Sequence, residues 1–244
     1  MDYKDDKFNL KYFNGKDWPI LAGGILAVIG AIPLVLALMD FYILMIPGVA
    51  IIITGAAMLM ITLGGRTNEA GLEDQIERIS KPMLPTALGK LNLEDRHVKV
   101  IPFHDPHSFG EFDFSGDEEI LIKCGRDGKY RSSMYSRTLM LFTRNTLCCY
   151  NLRFSFIDSK YRTEQLKTFK YVDIDTAYIT YGEYEYQKKD GLAKIKYACI
   201  NIKGLDGEIF TSVAHNDADL DKLVEDINVL SGKYKKQAEE SNQQ

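Results

Sequence analysis

Lys123, Lys129 and Arg131 stand in a K-x5-K-x-R pattern on either side of a turn-like Arg126-Asp127-Gly128. If the flanking runs are paired strands, cations at this spacing aim at one point, which is the chemistry of an anion site. Between Glu119 and Lys170 the chain carries eleven basic and four acidic side chains, a net +7, whereas the whole chain carries −4. Lys123, Arg126, Lys129, Arg131 and Arg137 are therefore the candidate residues for anionic-lipid or partner binding. The competing reading is a solvated sheet face with alternating charges.

Other residue types lead less far. His104-Asp105-Pro106-His107, with Asp113 nearby, has metal-binding side chains, but two histidines across a proline lack the helical geometry that fixes ligands. The stretch reads as an ordered loop whose Phe103, Phe109, Phe112 and Phe114 pack on the domain. Cys124, Cys148, Cys149 and Cys199 form no CxxC pair and read as reduced structural thiols. Tyr178, Tyr181, Tyr184 and Tyr186 suit a strand pair with one wet face, with a peptide-binding edge as the functional alternative. No P-loop, GxSxG, HExxH or Rossmann glycine cluster occurs. The expectation is a binding or scaffolding role, with no catalytic residue, metal or cofactor. The aromatics mostly alternate inward on strands, so a nucleic-acid partner is not expected.

The elements that position these residues divide the chain sharply. From Trp18 to Leu63 the only charge is Asp40. Two apolar runs, Trp18 to Leu38 and Phe41 to Leu63, each have about the 20 residues needed to cross ~30 Å of hydrocarbon. The expected architecture is a transmembrane helical hairpin over residues 18–63. Gly23, Ala27 and Ala31 would face Gly48 and Gly55 of the second helix, or a second copy. Lys4, Lys7, Lys11, Lys16 and Arg66 flank the hairpin and its turn carries no basic residue, which puts both termini in the cytoplasm. The expected partners of such an integral protein of the cell membrane are the lipid bilayer, anionic lipid headgroups and unidentified proteins.

Residues 64–118 read as a helical and loop connector, with Leu72, Ile76 and Ile79 on one helical face. From Glu119 the period changes to that of strands: Ile120–Gly125, Thr138–Thr143, Leu147–Phe156, Glu164–Ile174, Ala177–Tyr186, Ile195–Gly204 and Glu208–Ala214. Then Leu220, Leu223, Val224, Ile227 and Leu230 form a helical stripe, capped by Asn216 or Asp217 and ended by Gly232. Residues 233–244 read as a disordered tail.

Seven antiparallel strands followed by one amphipathic helix resemble the pleckstrin-homology (PH) superfold and its GRAM-like relatives. SRTLMLFTRNTLCCYN looks like the second and third strands of such domains, and FKYVDIDTAYIT like the segment before the fifth. With the hairpin added, the chain is similar to bacterial membrane proteins with PH-like domains. The resemblance implies a bent seven-stranded antiparallel sheet over residues 119–232, capped by its C-terminal helix. It also implies that Lys123, Lys129 and Arg131 match the cation spacing of PH-like lipid binders. The expected function is a membrane-tethered PH-like module that recruits protein partners or reads the membrane surface at the cytoplasmic face. The alternative is a subunit of a larger membrane assembly with the hairpin as its packing element.

Overall fold

The computed structural model describes residues 3–15, 18–37, 45–63, 67–93, 106–115, 120–188, 191–215 and 218–242. Phe103, His104, Asp105, the Met39-Asp40 turn and the caps Asn216 and Asp217 lie outside them. The chain forms two compact units, residues 2–72 and 73–244, with the boundary inside one helix.

The first unit holds α1 (Tyr3–Asn14), α2 (Trp18–Ala37), α3 (Met45–Leu63) and the start of α4 (Glu69–Ser80). α2 and α3 pack side by side because glycine removes the side chains between them. A Cβ on Gly55 would lie 2.8 Å from the Gly23 carbonyl oxygen, and one on Gly30 would lie 3.0 Å from that of Gly48. The pairs 23/55 and 30/48 run in opposite senses, so the helices are antiparallel. Gly23, Gly48 and Gly55 meet as their spacing predicts; Gly30 takes the place expected of Ala31, which is exposed.

Among the described residues no helix is long and apolar enough to cross a membrane. This corrects the expectation of a transmembrane hairpin, and with it the integral-membrane assignment and the cytoplasmic placement of both termini. Among the described residues the apolar runs form α2, Trp18–Ala37, and α3, Met45–Leu63.

The second unit is α+β. The expected single seven-stranded sheet is replaced, among the described residues, by nine strands in three antiparallel sheets. One sheet has the order β1 (His107–Phe112), β4 (Met134–Phe142), β5 (Thr146–Ser155), β6 (Arg162–Lys170). β2 (Ile122–Cys124) pairs only with β3 (Tyr130–Ser132), and β7 (Ile174–Lys188), β8 (Gly191–Gly204) and β9 (Ile209–Ala214) form the third sheet. The connector contributes α5 (Met83–Leu91), and α6 (Ala218–Asn242) follows β9. α6 runs through Gly232 and takes in most of the expected tail.

β4 and β5 are buried along nearly their whole length, which requires cover on both faces. Lys90 of α5 bonds Glu164 of β6 and lies 5.6 Å from the Tyr150 ring centroid, which places α5 over one face. The other face is split. Its apolar end (Met140, Phe142, Leu147, Cys149) joins Ile200, Ile202 and Phe210 of the third sheet and Leu220, Leu223 and Ile227 of α6 in one core. Val224 and Leu230 pack partly buried against it, so the whole predicted stripe serves. At its polar end the Asn151 amide donates 2.8 Å hydrogen bonds to the Ser136 and Thr138 hydroxyls and a 3.1 Å bond to Ser212 of β9. Satisfied buried polar groups of this kind tie the two sheets in one register.

α6 also closes the sandwich chemically. Asn228 donates to the Ala177 carbonyl and accepts from its N–H, each at 2.8 Å, and so occupies one stretch of the β7 edge. The Ser231 hydroxyl bonds the Ile174 carbonyl at 2.9 Å, and the Tyr234 hydroxyl bonds that of Arg144.

The four thiols are free. Burial pushes Cys149 well up, and burial followed by the Asp113 charge pushes Cys199 to about 11. Thiolate is the reactive form. With the native protein at pH 8, a disulfide reagent should therefore modify half-buried Cys124 first, and Cys148, Cys149 and Cys199 only on unfolding. Rapid native labelling of Cys199, read by peptide mass spectrometry, would contradict this.

Candidate functional site, a cleft between the β2–β3 hairpin and the β7–β8 sheet

The PHSFGEFDF segment, expected to be a loop, contains edge strand β1. Gly110 makes this possible, because a Cβ there would come within 2.8 Å of the Ser136 carbonyl oxygen on β4. Beyond β1 the chain turns at Asp113, whose carboxylate accepts from Arg153 Nε at 2.6 Å and from the Ser115 hydroxyl at 2.7 Å. Asp113 is thus committed to structure, and His107 lies edge-on to the Phe142 ring 5.9 Å away. Phe114 then joins Ile122 and Ile195 in a small second core, with Tyr130, Tyr184, Tyr186 and Tyr197 packed around it. This cluster pins the short hairpin against the third sheet.

A cleft of about 920 Å³ opens where these elements meet. Phe112, Phe114, Tyr130 and Tyr197 supply aromatic wall, and the small side chains of Ala198 and Ala214 leave space. That volume falls within the range of sites that enclose small ligands.

Gly182 shapes one side. It stands directly across from Tyr197 in the β7–β8 ladder, and a Cβ on it would lie 2.2 Å from the Tyr197 ring. The ring therefore lies across the glycine, a cross-strand arrangement that covers an otherwise bare stretch of edge strand. Gly182→Val should displace the ring into the cleft and lower the melting temperature, at a cost of about 1–3 kcal/mol for overpacking. An unchanged Tyr197 environment in that variant, read by NMR, would refute the arrangement.

The charges of the cleft are mostly spent on one another. Arg131 forms a two-pronged bridge to Asp127 at 2.9 and 2.8 Å, reaches Glu73 at 3.6 Å, and lies 5.8 Å from the Phe112 ring centroid. The Arg131 hydrogen bond, partly offset by desolvation, holds the Asp127 carboxyl well below the usual carboxylate range. His215 Nδ1 meets Glu111 at 2.8 Å, and Lys194 meets Glu183 at 2.9 Å, which raises the Lys194 pKa. Burial, then the Cys199 and Asp113 charges, raises the Tyr197 phenol.

The predicted basic site is only partly assembled. Lys123, Arg126, Lys129 and Arg131 share the β2–β3 hairpin, with Lys123 directly opposite Arg131. Arg131 is only 3 % exposed and tied to Asp127, so it is a structural residue and not the exposed cation its spacing suggests. Arg137 stands apart on β4, where its Nε donates to the Ser108 hydroxyl at 3.2 Å. Lys129 reaches the cleft. Sequence reasoning missed Glu111, Gly182, Lys196, Tyr197 and His215. A glycine interrupting the tyrosine-rich Tyr178–Tyr186 run was the one available signal.

Comparisons of the chain with family models, with curated proteins and with solved structures give no match.

Proposed function

We propose that the second unit is a binding module that recruits a protein partner by holding part of it in the cleft between the β2–β3 hairpin and the β7–β8 sheet. The observation that carries this reading is the cleft itself, about 920 Å³ with aromatic walls and a charged rim. Its mix of apolar surface with a few polar groups suits recognition, and its fixed ion pairs give a pre-formed shape.

Lys129 and Lys196 line the cleft and are exposed, so Lys129→Glu with Lys196→Glu should leave the fold intact. A tagged full-length chain should lose its partner in a pull-down when both are reversed. Undiminished capture would refute the cleft as the docking site.

A second reading rests on a different observation. The first unit exposes Leu21 (68 %), Val28 (69 %), Ile46 (80 %) and Ile53 (62 %) on two helices. Such apolar exposure suits packing within a larger protein assembly. On that reading Leu21→Glu with Ile53→Glu releases the partner and the lysine reversals do not.

A further inference from the structure

The cleft has a charge preference that its ion pairs conceal. Three of its acids are matched: Glu73 faces Arg131, Glu111 faces His215, and Glu183 faces Lys194. Among the described residues, no ion pair forms at Lys129 or Lys196, the remaining charges of the lining. Lys196 is opposite Glu183 in the strand ladder, yet Glu183 bonds Lys194 instead. The site therefore offers two uncommitted ammonium groups beside aromatic wall. Its three acids already bond Arg131, His215 and Lys194.

We infer that the cleft selects an acidic, aromatic-bearing segment of a partner protein, its carboxylates meeting Lys129 and Lys196 and its apolar side chain lying against Tyr130 and Tyr197. This rests on the reading of the cleft as the recruiting site and adds the chemistry of what enters. Charge complementarity decides the sign: a basic segment would meet two cations that form no ion pair among the described residues, and acids that already hold partners. Among the described residues β7 pairs on one side only, with β8, so beyond the stretch that Asn228 occupies its other edge can take an extended chain.

A matched pair of dyes separates the two claims. Anilinonaphthalene sulfonate carries one negative charge, and N-phenylnaphthylamine has the same aromatic body without it. In the full-length chain with Trp18→Phe and Tyr181→Trp, the sole tryptophan stands at a cleft position that is 65 % exposed, and its quenching reports occupancy. The anionic dye should bind about tenfold more tightly than the neutral one, since its sulfonate meets the exposed lysine ammonium groups. Lys129→Gln with Lys196→Gln should abolish that difference, and added salt should reduce it. An acetylated Glu-Phe-Glu-Phe amide should displace the dye and its Lys-Phe-Lys-Phe counterpart should not. Equal binding of the two dyes, or equal displacement by the two peptides, would overturn the charge selection while leaving the cleft as a site. Failure of both dyes to quench the tryptophan would overturn the cleft reading itself.

Discussion

Leu223→Asp should unfold the second unit. Leu223 is 3 % exposed and sits in the core that joins α6 to both large sheets. The substitution removes that apolar contact and buries a carboxylate with no cation beside it, a loss of about 4 kcal/mol or more. Against a typical total of about 5–15 kcal/mol, this leaves little or no folded population. Leu223→Ala should cost about 2–5 kcal/mol and give a folded but destabilised protein. Chemical denaturation monitored by circular dichroism checks both. A midpoint for Leu223→Asp equal to that of the wild type would show that α6 does not close the sandwich.

Arg131→Glu should be the most damaging change on the hairpin, although its position in the basic pattern marks it as a surface charge. The new carboxylate would face Asp127 and Glu73 from a side-chain position that is only 3 % exposed, so an ion pair is replaced by like charges with the central one cut off from water. Lys129→Glu, two residues away and exposed, should change the melting temperature little. The contrast between neighbouring lysine and arginine separates a structural bridge from a binding surface, and thermal melts read it directly. The bridge also fixes a pH dependence. Because the folded-state pKa of Asp127 is lowered, its contribution is fully present above the ordinary carboxylate range and is lost as pH falls through the depressed value. Arg131→Met should remove that acid-side contribution; an identical acid limb in the variant would contradict it.

How much of this was legible follows from how local each signal is. The α6 stripe repeats within a few turns of one helix, so Leu220, Leu223 and Ile227 were readable as core. The tight turn at Arg144-Asn145 made β4–β5 readable for the same reason. β1 was hidden because its partner β4 lies across the whole β2–β3 hairpin in sequence, and the glycine that permits the pairing reads as a loop residue. β3 is three residues long, too short for a period. The burial of Arg131 depends on Asp127 folding back across the turn and on Glu73 arriving from α4. Residue type and spacing record neither approach. The apolar runs of the first unit showed helix correctly, since α2 and α3 lie within them, but not whether those helices cross a membrane. The cleft was the least legible feature. It joins Glu111, Lys129, Gly182, Lys196 and His215 from separate elements, and no short stretch of chain contains it.

A partner held in the cleft should be caught there by a cross-linker. A photoreactive benzoylphenylalanine at position 181, in the cleft wall, can be compared with the same group at position 229 on α6. Tyr181 is 65 % exposed and Val229 63 %, so accessibility is matched and only location differs. Cross-linking of the full-length chain in its native extract should give one adduct at 181 that is absent at 229 and is suppressed by Lys129→Glu with Lys196→Glu. The same adduct from both positions, or one at 181 that is indifferent to the lysine reversals, would contradict the account.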